Sequence, residues 1–146
     1  MKMKNPELTW YLVSAENSVI IEKEHYLGAY TPDATEMIIN LQLWNNRYGQ
    51  EIAKDIKNSN LKITFSSIED TKLLEYMQVK IDNNPYEDLT IINNEAIIPI
   101  QRIISGEINV GDNMCVNNYI DIYIKTTLSQ DMKKNGLKNL LINLDY

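Results

Sequence analysis

Hydrophobic and polar positions alternate along most of this chain. The cleanest case is 119–125, where Ile120, Ile122 and Ile124 alternate with Tyr119, Asp121, Tyr123 and Lys125. A period of two puts each set on one face of a strand, whereas a helix would scatter the isoleucines around its surface. Met37, Ile39, Leu41 and Leu43 repeat the pattern against Ile38, Asn40, Gln42 and Trp44, so 35–44 is the best strand of the N-terminal half. Leu61, Ile63 and Phe65 alternate with Lys62 and Thr64, a strand with one solvated face. Further strands are expected over 8–13, where Trp10 and Tyr11 add β-preferring aromatics, and over 19–23. Another is expected over 73–82, with Leu73, Met77, Val79 and Ile81 on one face.

Turn residues punctuate these runs. Asn93-Asn94 lies between 89–92 and 96–100 and predicts a hairpin, because asparagine tolerates the positive φ of a two-residue turn. Asn83-Asn84-Pro85-Tyr86 predicts a second turn. Gly28 and Pro32 mark 25–33 as a loop, and Gly111-Asp112-Asn113 reads as another. Ile52, Ala53 and Ile56 fall at helical spacing with Lys54 and Lys57 outward, so 51–58 is expected to be a short helix that must dock on the sheet. The segment 101–108, with Gly106 inside it, is ambiguous between the two patterns. In the tail, Leu137, Leu140, Leu141 and Leu144 fit a helix, while Leu140, Ile142, Leu144 and Tyr146 fit a strand. A turn over 133–136 favours the strand. The sum is a mainly β fold: an antiparallel β-sandwich of about eight strands with one short helix, in a single domain over 1–146.

Composition narrows the function classes. The 146 residues suit one domain with a self-sufficient core. Hydrophobic residues at 44% and charged residues at 23% are those of a globular protein. The net charge of −6 argues against binding by phosphate neutralisation and against anionic membrane surfaces, so neither a nucleic-acid nor a membrane partner is expected. No stretch reaches the ~20 apolar residues of a spanning helix. Asn5, Pro6 and Glu7 interrupt the N-terminal region where a signal peptide would need an apolar run. Cys115, the single cysteine, cannot form an intrachain disulfide and reads as a small buried hydrophobe. Heavy use of Ile and Asn suggests an AT-rich source genome.

Catalytic vocabulary is sparse. His25, flanked by Glu22 and Glu24, has no neighbouring nucleophile, and adjacent residues of an extended chain point to alternate faces, so a surface role is expected. Glu69-Asp70 and Glu87-Asp88 are acidic pairs that could serve glycoside hydrolysis only if held about 5–10 Å apart across a cleft. Acidic pairs beside turns are commonly solvated. Asp112, Asn113, Asn117 and Asn118 could cluster around calcium, but without EF-hand spacing. No cofactor, no resident metal and no enzymatic activity are therefore expected. Trp44-Asn45-Asn46-Arg47-Tyr48 is the most distinctive surface candidate, joining flat aromatic faces to directional hydrogen bonds. It reads either as a strand end and turn with Trp44 half buried, as a protein-interface hot spot, or as a sugar site. With Tyr119 and Tyr123 from the polar face of 119–125, the residues Trp44, Asn46, Arg47 and Tyr48 define the expected interaction surface.

The run Leu41-Gln42-Leu43-Trp44-Asn45-Asn46-Arg47-Tyr48-Gly49 leads into the expected helix. It is followed by 61–65, Ile68-Glu69-Asp70 and Leu73-Leu74 before Val79. Over 35–125 this pattern resembles accessory virion proteins of tailed bacteriophages infecting low-GC Gram-positive bacteria. The resemblance implies a small β-sandwich that forms or anchors a head fibre, a capsid decoration or a tail appendage. It further implies homo-oligomerisation, docking on another virion protein such as a capsid or fibre subunit, and residence in the virion after synthesis in the host cytoplasm. It brings no catalytic residues. The alternative expectation is a tail or baseplate module that recognises host cell-wall glycan through an exposed aromatic platform at Trp44 and Tyr48.

Overall fold

The computed structural model describes residues 3–13, 18–21, 24–26, 36–108, 117–127 and 139–146. Side chains within 18–21 and 24–26, and that of Asn139, fall outside the described set, as do Cys115, Asp112, Asn113, residues 27–33 of the loop expected over 25–33 and the expected turn at 133–136. The strands are β1 (Leu8–Val13), β2 (Ser18–Ile21), β3 (Glu24–Tyr26), β4 (Glu36–Asn45), β5 (Ser59–Phe65) and β6 (Met77–Ile81). They continue with β7 (Glu87–Asp88), β8 (Thr90–Ile92), β9 (Glu95–Ile100), β10 (Tyr119–Thr127) and β11 (Asn139–Asp145). Two antiparallel sheets result, one in the order β2-β1-β4-β10-β6-β7 and the other in the order β3-β11-β5-β9-β8.

The alternating isoleucines explain why the sheets stack. In the six-stranded sheet Ile120, Ile122 and Ile124 lie opposite Leu43, Leu41 and Ile39. In the five-stranded sheet Leu140, Ile142 and Leu144 lie opposite Phe65, Ile63 and Leu61. All twelve side chains are buried and belong to one core shared by both sheets. Both sides of the sandwich are joined by chain that changes sheet. β7 and β8 are separated by Leu89 alone, yet β7 pairs with β6 and β8 pairs with β9. β2 and β3 are two residues apart in sequence and lie at the opposite edges of the two sheets. The four edge strands are only two to four residues long. Short edges offer little backbone for unwanted pairing. Among the described residues eleven strands stand where about eight were expected, because β3 reaches into the segment read as a loop and the acidic pair Glu87-Asp88 forms a strand of its own.

Several expectations hold at residue level. Asn93 and Asn94 carry φ of 52° and 64° and turn β8 into β9. The tail is a strand, and 119–127 carries the buried-exposed alternation. Three expectations are corrected. The segment 51–58 is not a helix: Ala53 N–H donates to Gly106 O at 2.9 Å, Lys54 N–H to Lys4 O at 2.9 Å, and Ile56 exchanges two bonds of 2.9 Å with Ile104. These backbone groups find tertiary partners, so none remains for a helical ladder. The short helix lies instead at Ile68–Tyr76, a 3-10 helix that takes up the first four residues of the strand expected over 73–82. Leu74 is fully buried and anchors it to the core. His25 lies on β3, opposite Leu140, and not in a loop.

Ile122 is completely buried between the sheets. Ile122→Ala is expected to destabilise the fold by about 2–5 kcal/mol in a urea titration. A change below about 1 kcal/mol would mean that the β10 face does not pack as described.

Candidate interaction surface

The outward face of the six-stranded sheet carries the candidate site. Strand parity sets its membership, because Leu41 and Leu43 enter the core and so Asn40, Gln42 and Trp44 face outward. Register then places Tyr11 beside Gln42, Tyr119 beside Trp44, Asp121 beside Gln42 and Tyr123 beside Asn40. Lys80 follows beside Tyr123.

Trp44 is the hub. Tyr119 stacks on it with centroids 4.4 Å apart and an interplanar angle of 27°. The Arg47 guanidinium lies 4.3 Å from the centre of the same ring. Trp44 Nε1–H donates to Gln42 Oε1 at 3.2 Å, and Gln42 Nε2–H donates to Asp121 Oδ1 at 3.0 Å. Covered in this way, Trp44 is only 1% exposed although it points away from the core. Arg47 also reaches the rings of Tyr48 at 5.7 Å and Tyr11 at 6.0 Å, and the two phenol hydroxyls are hydrogen-bonded to each other. A second cluster lies further across the face. Lys125 sits 4.3 Å from the Tyr86 ring, and Lys80 sits 5.0 Å from Tyr123 and 5.9 Å from Tyr86. Such contacts are attractive because the ring face is electron-rich.

The turn after β4 positions Arg47 and Tyr48. Asn46 takes a left-handed φ of 59° and its side-chain amide donates to Gly106 O at 2.8 Å and Glu51 O at 2.9 Å. Gly49 packs so closely on the Asn46 carboxamide that a Cβ there would overlap it. The chain therefore reverses within a fixed frame and leaves Tyr48 63% exposed.

The six residues expected at the surface divide accordingly. Arg47, Tyr48, Tyr119 and Tyr123 share the face and are accessible in whole or part. Trp44 and Asn46 are buried, so they are corrected from contact residues to supports: the first holds Arg47 and Tyr119, the second holds the turn. The exposed platform that a glycan would need at Trp44 is covered by those same side chains. Sequence reading missed Tyr11, Lys80, Tyr86 and Lys125. Lys80 and Lys125 alternate correctly with core residues, but only the strand register shows that they share tyrosines. Of the other candidates, Glu69 and Asp70 open the 3-10 helix, and Glu87 and Asp88 form the exposed β7. Asn118 is buried and its side-chain amide donates to Glu107 O at 2.8 Å, while Asp112 and Asn113 of the expected calcium cluster lie outside the described residues. Among the described residues no group of three or more His, Cys, Asp or Glu could hold a metal ion, and no helix is long and apolar enough to cross a membrane.

Three tyrosines of the face have raised pKa values. For Tyr11 the causes are burial first and then the hydrogen bond with Tyr48, opposed in part by Arg47. For Tyr123 they are burial and then the charge of Asp121, and for Tyr86 burial and then the charge of Glu36. The fold thus favours the neutral phenol. These groups contribute stability that is fully present below the ordinary tyrosine pKa of about 10 and is lost as pH rises through the folded values. The melting temperature is expected to fall above pH ~10, with tyrosinate absorbance lagging that of the unfolded chain. Tyrosines that all ionise like the unfolded chain, before any loss of stability, would contradict this packing.

No family model matches this chain, and neither the curated proteins nor the solved structures searched contain a match.

Proposed function

We propose that this protein is a non-enzymatic assembly module that associates with a second copy of itself through the outward face of the six-stranded sheet. The observation that carries this reading is the charge balance of a tyrosine-rich face. Its cations Arg47, Lys80 and Lys125 are matched by Glu36, Asp88 and Asp121 on the same face. The chain as a whole carries −6, so the rest of the surface repels its own kind and this face does not. Tyrosine and arginine are also the side chains that concentrate interface energy, since they bury large areas while keeping a polar end. Ile38, 52% exposed on the same face, adds apolar area. The short edge strands favour association through a face over sheet extension.

The narrower form of the proposal is an accessory virion subunit, such as a head-fibre or capsid-decoration protein, in which the self-associated form docks on a capsid or fibre protein. Its support is the sequence resemblance over 35–125 together with a face suited to assembly.

Light scattering coupled to size-exclusion chromatography tests the association. A discrete dimer or trimer is expected for the wild type, and Tyr48→Glu with Lys125→Glu should weaken it by at least about tenfold, as loss of interface anchors does. Both positions lie outside the core, so the melting temperature should hold. A wild-type monomer at the highest concentration reached, or an oligomer indifferent to both changes, would overturn the proposal.

A further inference from the structure

A second site lies at the β6 and β9 side of the sandwich and borders the tyrosine-rich face at Tyr119 and Asp121. A groove of about 620 Å³ opens where β6 and the turn 82–85 of one sheet stand apart from β9 of the other. This volume falls within the range of small-ligand sites, which favour the mouths of β-sheet enclosures. Ile81, Ile98 and Pro99 give it an apolar wall. Its polar groups are of two kinds. Arg102 is held in place: its Nε lies 3.0 Å from Asp82 Oδ2, and its Nη2–H donates to Tyr119 O. Asp82 is itself fixed, exchanging bonds with Asp121 through Asp82 N–H to Asp121 O at 2.8 Å and Asp121 N–H to Asp82 Oδ1 at 3.0 Å. An arginine has five N–H donors, so this anchoring leaves donors for a ligand. By contrast Asn84, Glu87 and Gln101 line the groove with side chains that make no hydrogen bond or ion pair among the described residues.

The groove continues past the Arg102–Asp82 pair into a shallower depression lined by Tyr119 and Asp121. A ligand lying along both would meet an apolar wall, the carboxamides of Asn83, Asn84 and Gln101, the carboxylates of Glu87 and Asp121, the oriented Arg102 guanidinium and the border of the Tyr119 ring. Asp82 and Arg102 neutralise each other, and Glu87 and Asp121 leave the lining acidic, which disfavours an anionic ligand. Carboxamides on the rim both give and take hydrogen bonds and carboxylates take them, which suits hydroxyl groups that do both. The apolar wall and Tyr119 suit the C–H faces of a pyranose ring. We infer that this groove binds a neutral oligosaccharide, held by Arg102, Asn84, Glu87 and Gln101.

Isothermal titration of the full chain with neutral tri- and tetrasaccharides of glucose, mannose, galactose and N-acetylglucosamine tests the assignment. A uronic-acid oligomer and a tripeptide with free termini serve as charged comparisons. Saturable binding of at least one neutral oligosaccharide is expected. Asn84→Ala and Gln101→Ala should each weaken it roughly three- to tenfold, the effect of one lost hydrogen bond, at unchanged melting temperature. Tyr48→Ala, outside the groove, should leave it unchanged. Three results would overturn the inference: no saturable binding of any neutral oligosaccharide, saturation only by the uronic acid or the tripeptide, or equal affinity in the groove variants.

Discussion

Three buried asparagines at one end of the six-stranded sheet hold together the segments 3–7, 46–58 and 101–108, which belong to no sheet. Asn45 accepts from Glu7 N–H at 3.0 Å and donates to Lys54 O at 3.0 Å. Asn46 donates to Glu51 O and Gly106 O, and Asn118 donates to Glu107 O and to Asn45 O. All three are completely buried. The chain before β1 and the segments 46–58 and 101–108 run irregularly, so their carbonyls would be buried without strand partners. A buried polar group left unpaired costs about 1–3 kcal/mol, and the carboxamides remove that cost at several positions together. Gly106 completes the arrangement: a Cβ there would overlap the Ala53 carbonyl, and its N–H donates to Asp55 Oδ1 at 2.9 Å.

This polar end and the aromatic face are one mechanical unit. Asn45 and Asn46 follow Trp44 directly, so the frame that fixes the loops also fixes where β4 stops and where Arg47 leaves it. Arg47 then lies on Trp44, Trp44 stacks on Tyr119, and Tyr119 O accepts from Arg102 in the neighbouring groove. An outward tryptophan would ordinarily lie open to water. Here the guanidinium and the phenol cover it, and the exposed surface passes to Tyr48 and the tyrosines of β10. The same end of the sheet thus bears on both proposed contacts, self-association on the face and ligand binding in the groove.

Local signals made much of the fold legible. The alternation at 119–125 and the Asn93-Asn94 turn depend on residues close in sequence, and both stand in the structure as read. The error at 51–58 arose because spacing of Ile52, Ala53 and Ile56 describes one segment alone. Its backbone is claimed by Lys4, Ile104 and Gly106, and a period along the chain carries no trace of those distant partners. The 3-10 helix was hidden for the opposite reason: Leu73 and Met77 fit a strand face, while the turn at Thr71, whose hydroxyl donates to Ile68 O at 2.6 Å, leaves no periodic mark. The candidate surface was half legible. Residue types at 44–48 marked an unusual place, but only register showed that Trp44 and Asn46 support it and that Tyr11, Lys80, Tyr86 and Lys125 extend it.

Amide hydrogen exchange tests most directly the claim that buried carboxamides stand in for strand pairing at this end of the sheet. In the wild type the amides of Ala53, Ile56 and Ile104 should be protected nearly as well as those of β10. In Asn46→Ala the amide of Ala53, whose acceptor Gly106 O shares that oxygen with Asn46, should lose protection while Ile122 and Ile124 keep theirs. Rapid exchange at Ala53, Ile56 and Ile104 in the wild type, or protection at Ala53 that survives the substitution, would contradict the account.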